Sequence, residues 1–238
     1  MKKKIVLKLM GILICVSSFS FLIYIIGNNN KYFQKEPIVQ NKDKQAKIHV
    51  NKNDKNLVLV NQKNSLPENW DVDLTVLKSG HSISSEAYPD LQKMFDDMRN
   101  VGLKPLICSS YRTYDKQESL FNNKMNQYLK EGDAQEVASY KAASWVAKPN
   151  YSEHQTGLAL DIVATDYQLL DENQENTAEQ KWLIENSWKY GFILRYPSEK
   201  SQLTYVNYEP WHYRYVGKNA AKTIYENNLC LEEYLNID

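Results

Sequence analysis

Two short stretches of this chain carry the residue types of a hydrolytic metal site. One reads SEHQTGLALD at residues 152–161, and the other reads EPWH at residues 209–212. The chain has four histidines in 238 residues, and two of them fall in these stretches. Catalytic zinc takes three protein ligands, commonly imidazole and carboxylate, and keeps a fourth position open for water. His154, Asp161 and His212 are therefore candidate metal ligands.

Asp161 interrupts an otherwise apolar predicted strand at residues 158–163. A carboxylate in such a place is costly unless something pairs with it. A metal ion would serve, and so would a buried arginine or lysine, and the strand alone does not decide between them. Gly157 allows a turn between His154 and Asp161, so both side chains could converge from a loop and the strand that follows it.

Glu209 lies three residues before His212, and Pro210 between them bends the chain. If His212 binds zinc, Glu209 could reach the water bound to the metal. Zinc lowers the pKa of that water to about 7, and Glu209 could take its proton during attack. The alternatives are that Glu209 is a surface acid before a turn and that Trp211 is a core residue. Each is plausible singly, but together they explain the cluster less well than a site does.

Arg112 stands in a third motif, SSYRTYDKQ at residues 109–117, directly after a predicted strand. A lone arginine in this position is usually a surface residue. Beside a metal site, its guanidinium could bind a terminal carboxylate through two parallel hydrogen bonds. It could also stabilise the oxyanion that forms when water attacks a carbonyl. Gln117 follows five residues later.

The hydrophobic spacing predicts an α+β fold: a compact single domain with a small, largely antiparallel sheet flanked by helices. Helices and short strands alternate without a regular βαβ repeat. A further strand is possible at residues 57–60, and a short turn closes the chain at 231–235. The predicted helices are 89–101, 114–130, 134–147, 177–190 and 218–228, and the predicted strands are 104–108, 158–163, 192–196 and 211–216.

The N-terminus predicts a membrane anchor. Three lysines at positions 2–4 precede an apolar run from Leu9 to Ile26, which as a helix would rise about 27 Å, close to the thickness of a bilayer core. The positive-inside rule keeps the lysines in the cytoplasm, so the rest of the chain would lie outside the cell, held by a single-pass anchor in the cell membrane. A cleaved signal peptide is the alternative.

The composition then changes twice along the chain. Residues 28–65 hold eight lysines and three acidic residues and few large apolar ones, which is typical of a solvated linker. Residues 66–238 hold 17 basic and 26 acidic side chains, a balance that argues against binding nucleic acid. The predicted organisation is an anchor at 1–27, a disordered basic linker at 28–56 and a catalytic domain at 57–238. We expect a monomer.

Two cysteines fall in the predicted domain, Cys108 and Cys230. They could form a disulfide outside the cell. The stronger interpretation is that Cys108, at the end of an apolar strand, is a small core residue.

The three motifs together resemble the metal-dependent D-alanyl-D-alanine carboxypeptidases of the VanY and LdcB type. The resemblance covers most of residues 57–235 in order and spacing. It implies that His154, Asp161 and His212 bind one Zn²⁺, that Glu209 is the general base and later the proton donor, and that Arg112 binds or polarises the substrate. It also implies further residues that line the substrate pocket: Gln117, Ser152, Tyr196 and Trp211.

The same resemblance implies a fold similar to that of Hedgehog-like proteins and a substrate outside the cytoplasmic membrane. Members of this family release C-terminal D-alanine from peptidoglycan stem peptides, either from D-Ala-D-Ala ends or from L,D-bonded tetrapeptides. Two alternatives stay open: an endopeptidase that cuts wall cross-links with the same metal and base, and a non-catalytic wall-binding module. Arg112 favours the exopeptidase, because a free carboxylate needs a cation, whereas an endopeptidase needs an open groove.

Overall fold

The structure, a computed structural model, describes residues 54–236. The predicted anchor and all but the last three residues of the predicted linker lie outside this range. Within it, no helix is both long and apolar enough to cross a membrane. The described part includes residues 54–56, where Asn56 is buried and donates a hydrogen bond to Glu86 (2.7 Å).

A four-stranded antiparallel sheet forms the centre of the domain. Two short strands, β1 (Leu74–Val76) and β2 (Ser82–Ser84), pair as a separate antiparallel ribbon. The main sheet has the strand order β3-β4-β6-β5, and every neighbouring pair is antiparallel. Its strands are β3 (Pro105–Ser109), β4 (Ala159–Ala164), β5 (Phe192–Leu194) and β6 (His212–Tyr215).

Seven α-helices surround the sheet in the described residues. All six residues of β4 are buried, because β4 lies between β3 and β6 and is covered by helices. The helices are α1 (Tyr88–Asn100), α2 (Tyr114–Lys130), α3 (Gln135–Ala143), α4 (Ala178–Asn186), α5 (Ser201–Thr204), α6 (Lys218–Glu226) and α7 (Leu231–Leu235).

Helix α1 shows why these residues form these elements. Its buried residues recur at spacings of three and four, which places them on one face. That face packs on β4 and its neighbours in the main hydrophobic core. Pro89 is tolerated because it lies in the first turn, where its missing N–H has no partner to lose. The buried residues of this face are Leu91, Met94, Phe95 and Met98.

The prediction of an α+β domain with a small antiparallel sheet is confirmed. Helix α2 has the predicted bounds, and α3 ends at Ala143, four residues before the predicted end. The predicted strand at residues 57–60 is wrong: a 3₁₀ turn spans Lys55–Leu57, and residues 58–60 form no strand. Leu57 and Val60 are nevertheless buried, so this apolar run packs on the domain without pairing.

Cys108 and Cys230 are both unpaired, as the favoured interpretation predicted. Cys108 is half-buried and Cys230 is buried. Burial raises the pKa of the Cys108 thiol to about 12 and that of Cys230 to about 11, so neither is a reactive thiolate at neutral pH.

Candidate active site

Two of the three predicted ligands are opposite each other in the sheet. Asp161 on β4 pairs with His212 on β6, and on its other side Asp161 lies opposite Ser109 at the end of β3. Side chains directly opposite in an antiparallel pair lie on the same face. The pairing of β3 is irregular between Ile107 and Ser109, and this bulge re-aims the end of the strand at the site.

His154 reaches the same point from a loop. A 3₁₀ turn at Glu153–Thr156 ends at Gly157, whose φ of +76° is in the left-handed region that glycine tolerates. A Cβ at this position would meet Leu74 Cδ2 at 3.0 Å. The segment after β3 holds this turn, since His154 Nδ1 donates to the carbonyl of Ser110 (2.8 Å). That bond places the proton on Nδ1 and leaves Nε2 as the ligand atom.

The three donor groups converge in a geometry that fits zinc. One ligand atom from each of His154, Asp161 and His212 lies within 4.8 Å of the others. His154 Nε2 is 3.3 Å from Asp161 Oδ2, and His212 Nδ1 is 3.0 Å from Asp161 Oδ1. Bond lengths of 2.0–2.1 Å in a tetrahedron give ligand separations of about 3.4 Å. Two nitrogens and one carboxylate are a donor set that zinc accepts readily.

The ionisation of this cluster is far from ordinary. Burial and the Arg112 charge lower the pKa of His154 to about 4, so that imidazole is neutral at pH 7. Burial alone would lower the pKa of His212, but its hydrogen bond to Asp161 and the nearby carboxylate of Glu153 raise it to about 9. Burial would raise the pKa of Asp161, yet both histidines hold it well below its usual range. Without a cation, the site therefore keeps a proton on His212.

Glu209 stands at the edge of the cluster. Its Oε2 is 3.8 Å from His212 Nδ1, and its position is fixed by the backbone: Glu209 N donates to the Tyr196 carbonyl, and His212 N donates to the Glu209 carbonyl. Burial, followed by repulsion from Asp161, raises the pKa of Glu209 to about 8, against the lowering effect of His212 and Arg112. The structure thus places a buried carboxylate beside the ligands, and among the described residues its ion-pair partner is His212.

Arg112 is the cation of the site. Its side chain is 17% exposed, and its Nη2 lies 3.0 Å from Asp161 Oδ2. Nε and Nη2 donate to Ser109 Oγ, and Nη1 donates to Gln117 (3.2 Å). The sequence left two possible partners for Asp161, a metal ion or a buried basic residue. The structure provides both an arginine and a cluster able to hold a metal.

Gln117 was predicted to line the pocket, and the structure places it differently. It is fully buried in the first turn of α2 and is not among the residues that line the cavity over the ligands. Its amide donates to the Ala147 carbonyl (2.7 Å) and its oxygen accepts from Arg112. Gln117 holds the guanidinium in place from behind.

A cavity of about 310 Å³ opens over the three ligands. Ser152, Tyr196 and Trp211, all predicted to line the pocket, line this cavity together with Arg112 and Glu209. The Tyr196 ring lies 4.7 Å from the His212 ring. Sequence reasoning did not find the outer wall, which is formed by α2, the segment after α3 and two loops. These outer residues are Leu120, Lys124, Ala143, Trp145, Val146, Ala147, Leu170 and Val206.

Sequence reasoning also missed a group of buried charges beneath the site. Arg195 and Arg214 are fully buried, and both donate to Glu153 Oε1 at 2.7 Å. Arg195 also makes a two-bond contact with Glu232 (2.8 and 2.7 Å). We call these four residues the charge network. The only signal was a single charge inside each of two predicted strands, Arg195 in 192–196 and Arg214 in 211–216, which exposed residues produce as well.

Comparisons with known proteins agree on one family. Residues 80–218 match the sequence profile of "VanY: D-alanyl-D-alanine carboxypeptidase". A D-alanyl-D-alanine carboxypeptidase of Enterococcus faecalis is 42% identical over 193 residues, which cover 81% of this chain and 70% of that protein.

Two solved structures extend the likeness to the fold. The vancomycin-resistance D,D-pentapeptidase VanY, an E175A mutant in complex with Zn(II), is 44% identical with a TM-score of 0.70, covering 76% of this chain and 99% of that one. The LdcB LD-carboxypeptidase is 38% identical with a TM-score of 0.66, covering 79% and 92%. The predicted resemblance is confirmed, and the chain belongs to the VanY family of D-alanyl-D-alanine carboxypeptidases.

Proposed function

We propose that this chain is a zinc-dependent carboxypeptidase that releases C-terminal D-alanine from peptidoglycan stem peptides. The observation that carries the proposal is the convergence of His154 Nε2, Asp161 and His212 Nδ1 within 4.8 Å, at the floor of a cavity that also contains a carboxylate and a guanidinium. A non-catalytic module would need the ligands but would gain nothing from a buried Glu209 beside them.

His154, Asp161 and His212 would hold the ion. When bound, zinc supplies Lewis-acid chemistry: it polarises the scissile carbonyl and lowers the pKa of water. Glu209 takes a proton from the attacking water while the oxygen bonds to the carbonyl carbon. It then passes that proton to the leaving amine as the C–N bond breaks. A divalent cation nearby lowers the pKa of Glu209 from its raised value, which makes it available as a base.

Arg112 gives the site its preference for a chain end. It lies at the cavity wall, fixed by Ser109 and Gln117, and among the described residues its charge is paired with Asp161. Once Asp161 binds the metal, the guanidinium of Arg112 is free to bind the carboxylate of a terminal residue. Ser152, Tyr196 and Trp211 shape the pocket around that residue. An endopeptidase would place a neutral peptide group here and would leave the cation without a partner.

The cellular location follows from the substrate and from the N-terminal sequence. The lysines at positions 2–4 and the apolar run at 9–26 support a single-pass anchor, with the domain on the outer face where peptidoglycan lies. We propose this location, and a monomeric domain, for the full chain.

The decisive experiment is mass spectrometry of defined stem peptides after incubation with the purified full-length protein. Pentapeptides ending in D-Ala-D-Ala and L,D-bonded tetrapeptides are supplied separately, and cross-linked dimers are included for the endopeptidase. We expect loss of one D-alanine from at least one linear stem, and no loss after dialysis against a chelator. Cleavage of the dimer alone would overturn the exopeptidase assignment, and undiminished activity without metal would overturn the zinc site.

A further inference from the structure

One carboxylate in contact with the site has no role in the mechanism above. Glu153 is adjacent to His154 in sequence, and its side chain is completely buried. Its Oε1 accepts hydrogen bonds from Arg195 and Arg214. Its Oε2 has no hydrogen-bond partner among the described residues. A buried carboxylate oxygen that is left unsatisfied is costly, so its orientation calls for an explanation.

A polar atom close to that orphan oxygen belongs to a metal ligand. Glu153 Oε2 lies 3.5 Å from His212 Nε2, which likewise lacks a hydrogen-bond partner within the described part of the chain. The opposite ring nitrogen, Nδ1, faces Asp161 and Glu209. The imidazole of His212 therefore stands between two groups, with the ligand cluster at one edge and Glu153 at the other.

The chemistry of imidazole connects these two edges. A histidine that gives its Nδ1 lone pair to a metal carries its proton on Nε2 and needs an acceptor there. In the structure, Glu153 Oε2 is the atom in place to accept it. A small rotation of the ring shortens 3.5 Å to an ordinary hydrogen bond, and each of the two orphan atoms then gains a partner.

Glu153 is held firmly enough to act as a fixed acceptor. Two fully buried arginines grip its other oxygen at 2.7 Å, and one of them, Arg195, is in turn held by Glu232 through two bonds. Arg214 also donates to the carbonyls of Asn56 and Val58. Neither arginine can swing away without breaking several buried hydrogen bonds, so the orientation of the carboxylate is set before any metal arrives.

We propose that Glu153 is a positioning residue for the zinc site. Its carboxylate holds the His212 ring so that Nε2–H points toward Glu153 and Nδ1 points toward the metal. The charge network is then the scaffold that orients one ligand. This inference rests on the proposed zinc-dependent function, but it concerns metal binding and is tested without turnover.

The test is the zinc affinity of the metal-free full-length protein, measured by competition with a chromogenic chelator. Glu153→Gln keeps the size of the side chain and removes its charge. We expect zinc to bind about 10–100-fold more weakly, the usual loss when a ligand's hydrogen-bond partner is removed. A zinc affinity of Glu153→Gln within about twofold of that of the natural protein would overturn the proposal, because loss of a ligand's hydrogen-bond partner normally weakens metal binding by about tenfold or more.

A matched control separates orientation from general damage to the network. Glu232→Gln removes the other buried carboxylate bound to Arg195, yet Glu232 has no contact with His212. We expect this variant to lose thermal stability while keeping its zinc affinity. Equal weakening of zinc binding in both variants would show that the network acts only through stability, and the positioning role would be wrong.

Two further measurements apply if Glu153→Gln fails to fold. The double variant Glu153→Gln/Arg214→Met removes a cation together with the anion, which restores the balance of buried charge, and it should bind zinc as weakly as the single variant was expected to. Nitrogen-15 NMR of the natural protein with zinc reads the proton position directly, among only four histidines. A proton on His212 Nε2 supports the proposal, and a proton on Nδ1 contradicts it.

Discussion

The metal cluster and the charge network lie side by side and both bury charged side chains, but only the network pairs each carboxylate with an arginine. In the network, Glu153 and Glu232 face Arg195 and Arg214, two anions against two cations. In the cluster, Asp161 is within hydrogen-bond distance of Arg112, whereas the ion-pair partner of Glu209 among the described residues is His212, at 3.8 Å.

The difference separates a structural site from one that binds a metal. Where every buried charge has a partner, the arrangement is complete and gains nothing from a ligand. In the cluster, burial leaves Glu209 with its pKa raised to about 8 and His212 with a proton at neutral pH. A divalent cation would satisfy both groups at once. Among the described residues, a buried carboxylate without an arginine or lysine partner, beside two histidines, marks the binding site.

Substitution of the metal ligand Asp161 should have the largest effect. Asp161→Asn keeps the shape of the side chain but removes the negative charge shared by both histidines. We expect zinc binding and D-alanine release both to fall below detection, because the ligand set loses its only anion. The measurement is zinc content by atomic absorption alongside the peptide assay. A variant that keeps full zinc and full activity would show that Asp161 pairs with Arg112 only.

Glu209→Gln should be next, and it separates the base from the ligands. We expect zinc to stay bound while kcat falls by about 10²–10⁴-fold, the usual loss of a general base. Zinc content and kcat are measured on the same preparation. Near-normal turnover with zinc in place would assign the proton transfer to another group.

Removing Glu232 from the charge network should act on stability alone. Glu232→Ala leaves Arg195 without one of its two carboxylates, and loss of a partner in a buried ion pair costs about 3–5 kcal/mol of unfolding free energy. Glu226→Ala is the control, since Glu226 is exposed and its pairing with Lys222 is worth at most about 1 kcal/mol. Urea unfolding followed by fluorescence gives both values. Equal, small losses would show that the network is not held by its charges.

The pH dependence of zinc binding tests whether the cluster holds protons that the metal must displace. The pKa of His212 is raised to about 9 without metal, so zinc must displace its proton below that pH. Glu209, with its pKa at about 8, releases a second proton below pH 8. Zinc affinity should therefore rise with pH, by at least about tenfold per unit, and level off above about 9. In Glu209→Gln the slope below pH 8 should decrease by one proton.

The two cysteines should give the smallest effect. Because Cys108 and Cys230 are unpaired and their thiols have raised pKa values, a reducing agent should leave the Tm unchanged. Scanning calorimetry with and without reductant measures this. A fall of several degrees with reductant would mean that a disulfide forms in solution.

What the sequence predicted well was what depends on local pattern. The spacing of apolar residues predicts α1 and α2 closely, and the residue types of the three motifs point to the ligands. Pairing across the sheet then explains why Asp161 and His212, 51 residues apart, meet.

The failures have physical causes as well. Residues 57–60 are apolar and buried, but their backbone pairs with no strand, so hydrophobicity alone misled. Strands β1 and β2 have three residues each, too few to show a period. The buried arginines Arg195 and Arg214 could not be found, because a charged residue is normally exposed and its buried partners lie far away in sequence.

The alignment of Ser109, Asp161 and His212 in one row across three strands has a practical consequence for making this protein. A shift of one residue in the pairing of β4 with β6 would turn Asp161 to the opposite face and separate it from His212. Chains that refold with mispaired strands would then retain no ion. The zinc content of a recovered batch would thus count its correctly assembled molecules, before any substrate is added.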